Sequence, residues 1–307
     1  MEKLLVTIGG PTGIGKTSWA IRLARHYRTE ILSADSRQFY REMRIGTARP
    51  TPEELAQAPH HFVGHLSIEN DYTVGDFRRD ALERLETLFG KYDLLILAGG
   101  SGLYLDAVTR GLDEFPEVDP GIREDLERLL VEQGLGALQV LLQEKDPAYF
   151  DRVDRENPRR LIRALEVCLG SGKPYSSYLG NRQSPGFFTT LRLGIDAPRE
   201  VVYDRIEKRV LAMVQAGLEE EARALYPFRE CNALQTVGYQ EFFSYFDGDL
   251  DRDTAIREIV KNTRRYAKRQ GTWFRRDPDI HWIPYDAATE VATRYIDERM
   301  KSLEDGN

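Results

Sequence analysis

Leu4-Leu5-Val6-Thr7-Ile8-Gly9-Gly10-Pro11-Thr12-Gly13-Ile14-Gly15-Lys16-Thr17-Ser18-Trp19 begins as a short apolar run rich in β-branched residues, passes through glycines and ends in the start of a helix. The order reads as buried strand, tight loop, helix N-terminus. From Gly10 to Thr17 the spacing fits G-x-x-x-x-G-K-[ST], and each fixed position serves the binding of a phosphate chain. The glycines let backbone amides close on phosphate oxygens, the helix start carries partial positive charge, Lys16 adds a full one, and the Thr17 hydroxyl can hold a magnesium ion. Gly10, Pro11, Thr12, Gly13, Ile14, Gly15, Lys16 and Thr17 are therefore the expected phosphate-binding segment. The loop does not specify which molecule carries the phosphates.

Working outward, a first helix from Lys16 to about His26 leads to a second strand, Glu30 to Ala34, with Asp35 at its end. Ligands of open α/β sheets lie beyond the carboxyl ends of the strands, so Asp35 is expected to face the phosphate loop as general base or substrate ligand; the competing role is a turn cap. Thr73 reads as the N-cap of a helix through Leu88, with Leu82, Leu85 and Leu88 on its apolar side. Asp93 to Ala98 is a continuous apolar strand. An NTPase usually carries a metal-binding acid after such a strand. This chain has Gly99-Gly100-Ser101-Gly102-Leu103-Tyr104 instead, which argues against routine ATP hydrolysis.

From about Asp113 the alternation stops. Asp119-Pro120, Gly134 and Asn157-Pro158 through Gly170 mark the ends of successive helices, and Thr190 to Ile195 returns as a strand after Ser184-Pro185-Gly186. The expected fold is α/β, a P-loop NTPase-like three-layer core with a parallel sheet, formed by 1–112 and 187–307 and interrupted by an all-helical insertion at 113–186.

The 307 residues are enough for a sizeable core, and the net charge of −7 is unevenly spread. Residues 111–133 hold eight acids against Arg123 and Arg128, whereas 257–276 hold eight Lys or Arg against Glu258. Lys261, Arg264, Arg265, Lys268 and Arg269 share one helical face, and Ile259, Thr263, Tyr266 and Trp273 take the other. Such a run is ordinarily a solvated face; here it is nearly unopposed and ends in Trp273-Phe274-Arg275-Arg276, whose aromatics suit base stacking, so nucleic-acid contact is favoured. Arg205 and Arg209 are spaced to reach one phosphate together, with simple solvation as the alternative. His60 and His61, beside Phe62 and Val63, read as structural. Cys168 and Cys231 stand alone and exclude a disulfide framework or a four-cysteine zinc site. No apolar run approaches the ~18 residues of a membrane span. The chain enters its first strand at once, without room for a signal or transit peptide, so a cytoplasmic protein is expected.

Together, GGPTGIGKT (9–17), ADSRQFY (34–40), IGTARP (45–50), AGGSGLY (98–104), NPRRLIRALEV (157–167), TVGYQE (236–241) and RRYAKRQGTWFRR (264–276) resemble the tRNA dimethylallyltransferase family, in order and over nearly the whole chain. The resemblance implies transfer of a dimethylallyl group from dimethylallyl pyrophosphate to the exocyclic amine of the adenosine 3′-adjacent to the anticodon, with pyrophosphate rather than ATP on the loop and Mg2+ as cofactor. It implies catalytic roles for Asp35 as general base, for Ser101 in the family's threonine position and for Lys16, with Arg209 holding the pyrophosphate. It places tRNA contacts at Asp35, Ser36, Arg37 and Gln38, at Arg123, and at Arg159, Arg160, Leu161, Ile162 and Arg163. Arg264, Arg265 and Lys268 of the basic helix join them, and the insertion becomes a lid over the anticodon loop. The implied partners are a tRNA anticodon stem-loop and dimethylallyl pyrophosphate, with no membrane, and a monomer is expected. This chain departs from the family in having Gly13-Ile14 for Ala-Ser, Ser101 for threonine, Arg49 for lysine and Gly271 inside the basic helix. The rival readings are a P-loop small-molecule kinase, which leaves the basic helix unexplained, and a non-catalytic RNA-binding switch, which leaves Asp35 unexplained.

Overall fold

The computed structural model describes residues 2–305. Its chain divides into two compact units, 1–109 with 185–307, and 110–184, where the sequence reading set the insertion at 113–186. In the first unit β1 (Leu4–Gly9), β2 (Ile31–Ser33), β3 (His60–His61), β4 (Leu94–Ala98), β5 (Thr189–Asp196) and β6 (His281–Pro284) form one sheet in the order β3-β2-β4-β1-β5-β6. All five pairings are parallel, with Val6 opposite Ile96 on one side and Leu191 on the other. Strands covered on both faces need continuous apolar sequence, and β1 is buried throughout. The second strand is shorter than Glu30 to Ala34. His60 and His61 form the edge strand and both pair with β2, and His61 lies 2.6 Å from the Glu30 carboxylate.

The first unit's helices begin with α1 (Lys16–Tyr27), α2 (Pro52–Leu55), α3 (Val74–Phe89) and α4 (Gly102–Thr109). Thr73 caps α3 through a reciprocal pair of bonds with Asp76; Phe77, Ala81, Leu85 and Leu88 are its buried stripe, with Leu82 at the margin. The second unit consists of α5 (Pro120–Gln133), α6 (Leu135–Lys145), α7 (Pro147–Phe150) and α8 (Pro158–Ser171), packed around Leu126, Leu138, Leu142, Leu161 and Leu165. The α8 helix runs one residue past Gly170 and stops where Gly172 turns left-handed. The chain then returns to the first unit with α9 (Arg199–Gln215), α10 (Leu218–Leu225), α11 (Gln240–Phe246), α12 (Arg252–Phe274) and α13 (Thr289–Asp305). Among the described residues no helix is long and apolar enough to cross a membrane.

The basic helix α12 corrects the expected division of faces. Its buried residues are Ala255, Ile259, Ala267, Gln270 and Phe274, while Tyr266 and Trp273 are 37% and 40% exposed. The buried positions recur at helical spacing, on a stripe that leaves Tyr266 and Trp273 outside it. Nor is its charge unopposed: Lys261 pairs with Glu258, Arg264 with Glu207 of α9 and Arg275 with Asp196 of β5.

Candidate active site

The phosphate loop leaves β1 beside β4 and β5, and its glycines allow the turn, with Gly13 and Gly15 at φ of 80° and 101°. Gly15 is the N-cap of α1 and offers no side chain to the first-turn amides, which leaves them open to an anion. Lys16 Nζ donates to the Pro11 carbonyl at 2.9 Å, folding the side chain back over the loop. Burial brings its ammonium down to about 8, with the Asp35 carboxylate pulling upward and Arg209 pushing further down.

Arg205 and Arg209 both come to the loop from α9, but in different roles. Arg205 donates to the Ile14 carbonyl at 3.1 Å and lies over the Tyr285 ring, bracing the loop from outside. Arg209 donates to the Thr12 hydroxyl at 3.2 Å and lines the crevice. Burial lowers its guanidinium from the ordinary value and Asp35 raises it; an arginine keeps its proton at neutral pH regardless.

Asp35 follows β2 as expected, and its Oδ1 accepts the Arg37 amide at 3.2 Å. It forms part of the wall of two crevices, of about 540 Å³ and about 360 Å³, which share Thr12, Arg209 and Met213 as well. The larger holds Lys16 and Thr17 with an apolar wall that includes Ile45 and Ala48. The smaller is bounded by Ser36, Tyr266 and Arg269. The Ser101 hydroxyl lies 3.3 Å from the Ser36 hydroxyl, with Tyr266 nearby. Desolvation and the nearby Asp35 charge raise the Tyr266 phenol, and the neighbouring Ser101 hydroxyl opposes them.

The expected RNA-facing residues separate into three groups. Arg37 donates to the Asn232 and Ala233 carbonyls, and Gln38 to those of Thr47 and Ala48, so both side chains tie neighbouring loops together. Leu161 and Ile162 are buried in the second unit's core, and their side chains cannot meet a partner; they lie on the α8 face opposite Arg159, Arg160 and Arg163, which are exposed. Arg123 and Arg163 bracket the buried Glu166 carboxylate. On α12, Arg264 is held by Glu207 at 2.6 Å, whereas Arg265, Lys268 and Arg269 are exposed. Phe274 is buried, leaving Trp273 as the accessible aromatic at that end.

Two residues were missed by sequence reasoning. Glu221 of α10 accepts the amides of Arg44, Ile45 and Gly46 and the Tyr239 hydroxyl, all within 3.1 Å, and so fixes the loop that walls the larger crevice. Gln270 of α12 bonds to both Thr12 and Gly100. Neither carries a local pattern; the motifs IGTARP, TVGYQE and RRYAKRQGTWFRR were the available pointers to their surroundings.

The family model for IPP transferases matches residues 38–277. The tRNA dimethylallyltransferase of Christiangramia forsetii is 53% identical over 302 residues, 98% of this chain and 100% of that one. This chain belongs to the tRNA dimethylallyltransferase family. The Flavobacterium johnsoniae member of that family is 49% identical, covering 98% of this chain and 99% of its own. Among solved structures, the full-length tRNA isopentenylpyrophosphate transferase of Bacillus halodurans superposes with a TM-score of 0.72 at 35% identity, covering 99% of this chain and 98% of that one. A eukaryotic dimethylallyltransferase acting on tRNA has the same fold, with a TM-score of 0.82 at 23% identity, covering 98% of this chain and 80% of that one. The family assignment removes the kinase and switch readings. In a tRNA dimethylallyltransferase the absence of a metal-binding acid after β4 is intelligible, since no water has to be activated against a γ-phosphate.

Among the described residues no three His, Cys, Asp or Glu side chains gather to hold a metal. The crevice offers the Thr17 hydroxyl, a hard oxygen donor that fits a magnesium ion taking its remaining ligands from phosphate and water.

Proposed function

We propose that the two crevices form one reaction channel, in which a dimethylallyl group passes from dimethylallyl pyrophosphate to the exocyclic amine of the adenosine 3′-adjacent to a tRNA anticodon. The observation that carries this reading is the position of Asp35, Thr12 and Arg209 in the walls of both crevices. The larger crevice combines phosphate-binding groups with apolar Ile45, Ala48 and Met213, the composition a prenyl pyrophosphate requires. The smaller, with Ser36 and Tyr266, is suited to an adenine that has left its stack.

The adenine amine is a weak nucleophile because its lone pair is delocalised into the ring. As the N–C bond to the prenyl carbon forms and the carbon–oxygen bond to pyrophosphate breaks, Asp35 takes the amine's proton and the pyrophosphate departs with the bonding pair. Negative charge collects on the leaving oxygens. Lys16 and Arg209, which line the crevice, and the open amides of α1 would stabilise it. Thr17 would hold a magnesium ion there, whose charge supplements theirs.

Exposed Arg265 and Lys268 on α12, and Arg159, Arg160 and Arg163 on α8, supply cations for the RNA backbone. In this reading the protein acts as a cytoplasmic monomer on the anticodon stem-loop. Incubation with labelled dimethylallyl pyrophosphate, unmodified tRNA and magnesium tests it: label should enter the RNA at that one adenosine. Label that stays out of RNA under conditions where both substrates bind would refute the reading.

A further inference from the structure

Gln270 lies on the inner side of α12, 258 residues from the phosphate loop it touches and only 7% exposed. Its Oε1 accepts the Thr12 amide at 2.8 Å, and its Nε2 donates to the Gly100 carbonyl at 2.8 Å. A backbone N–H can only donate and a carbonyl only accept, so these two partners fix the orientation of the side-chain amide. Glutamate lacks the donor, and asparagine is one methylene shorter. The fit is close on the other side too: a Cβ on Gly100 would stand 2.5 Å from Nε2 and 3.5 Å from Lys16 Nζ.

One turn earlier on α12, Tyr266 lies close to Ser101, the residue after Gly100. Through Gln270 the same helix therefore ties the loop after β4 to the phosphate loop. Its outer side presents Arg265 and Lys268 to solvent.

We propose that Gln270 is a positioning residue: it ties the RNA-facing helix to both loops of the reaction channel and sets the spacing between Lys16 and Ser101. This rests on the channel reading given above. Gln270 is not in the wall of either crevice. Without it the Thr12 amide and the Gly100 carbonyl lose their buried partner, and the loops separate or refill with water, displacing Lys16 from the leaving group.

Gln270→Met keeps an unbranched side chain of similar length and removes both bonds, and Gly100→Ala attacks the same contact from the side of β4. Pyrophosphate affinity, tRNA affinity and single-turnover transfer are measured for each. Both variants are expected to lose roughly tenfold or more in pyrophosphate affinity and transfer rate, as when a buried polar pair is broken, with tRNA affinity unchanged. The double variant should lose less than the sum of the two, because both break the contact between Gln270 and Gly100. Unchanged pyrophosphate affinity and rate in either folded variant overturns the proposal. So does a loss confined to tRNA affinity or melting temperature, which would make Gln270 a packing residue of α12. If Gln270→Met does not fold, Gly100→Ala decides by the same readouts. Wild-type protein that binds no pyrophosphate would refute the channel reading itself, a separate result.

Discussion

Replacing Asp35 with asparagine keeps the side chain's length and the oxygen that accepts the Arg37 amide at 3.2 Å, and removes only the capacity to receive a proton. A positioned general base contributes about 10²–10⁴ in rate, or ~3–5 kcal/mol of barrier, so single-turnover transfer should fall by that factor. A second effect must be kept apart from the first. The Asp35 charge also supports the protonated form of Lys16, which burial has already brought down to about 8, and the variant's Lys16 will titrate lower still. At pH 8 the variant would therefore also lose pyrophosphate affinity for a reason unrelated to proton abstraction. Working near about pH 6.5, well below the lysine's free-site value, keeps its ammonium in both proteins and isolates the base. The assay is single-turnover transfer of labelled prenyl group with both substrates saturating, with tRNA and pyrophosphate binding measured in parallel. Near-normal transfer by Asp35→Asn would refute the role of Asp35 as base. Loss of tRNA binding with transfer proportionately lost would make it a recognition residue.

Pyrophosphate binding stabilises the lysine ammonium, so affinity should be full below about pH 8 and fall as pH rises through it, a slope that titration calorimetry should show and Lys16→Ala should lack. Arg265→Glu with Lys268→Glu, both on the exposed side of α12, should weaken tRNA binding and lower its salt dependence by roughly one per lost phosphate contact. Arg264→Glu should instead destabilise the fold, since it would face Glu207, and thermal melting distinguishes the two. Glu221→Gln turns an NH2 group toward amides that need an acceptor; a cost of ~1–3 kcal/mol to the 44–46 loop should raise KM for dimethylallyl pyrophosphate and leave tRNA affinity in place.

The elements around the site were legible where neighbours in the chain decide them. The glycine spacing of the phosphate loop, the Thr73 cap and the apolar run of β4 each act over a few residues, and each appears where its pattern puts it. Where a segment was carried over as a block, its local period was the better guide. The helical spacing of Leu161 and Leu165 assigns them to a core, and the structure buries both along with Ile162, whatever their place in an RNA-contacting motif.

The sequence by itself determined a parallel α/β core built on a phosphate loop, an acid at the end of β2 and a hydroxyl where an NTPase would keep a carboxylate, because chain spacing alone expresses each of these. The positioning of those groups was settled by packing. Which cations of α12 remain free depends on Glu207 arriving from α9, and the placing of Asp35 in two crevice walls depends on α9 bringing Arg209 to Thr12. The bond between Gln270 and Thr12 joins residues 258 apart. Local pattern gives a helix its period and its ends, but which neighbour it meets, and at what rotation, follows from burying the apolar surface of the whole chain at once.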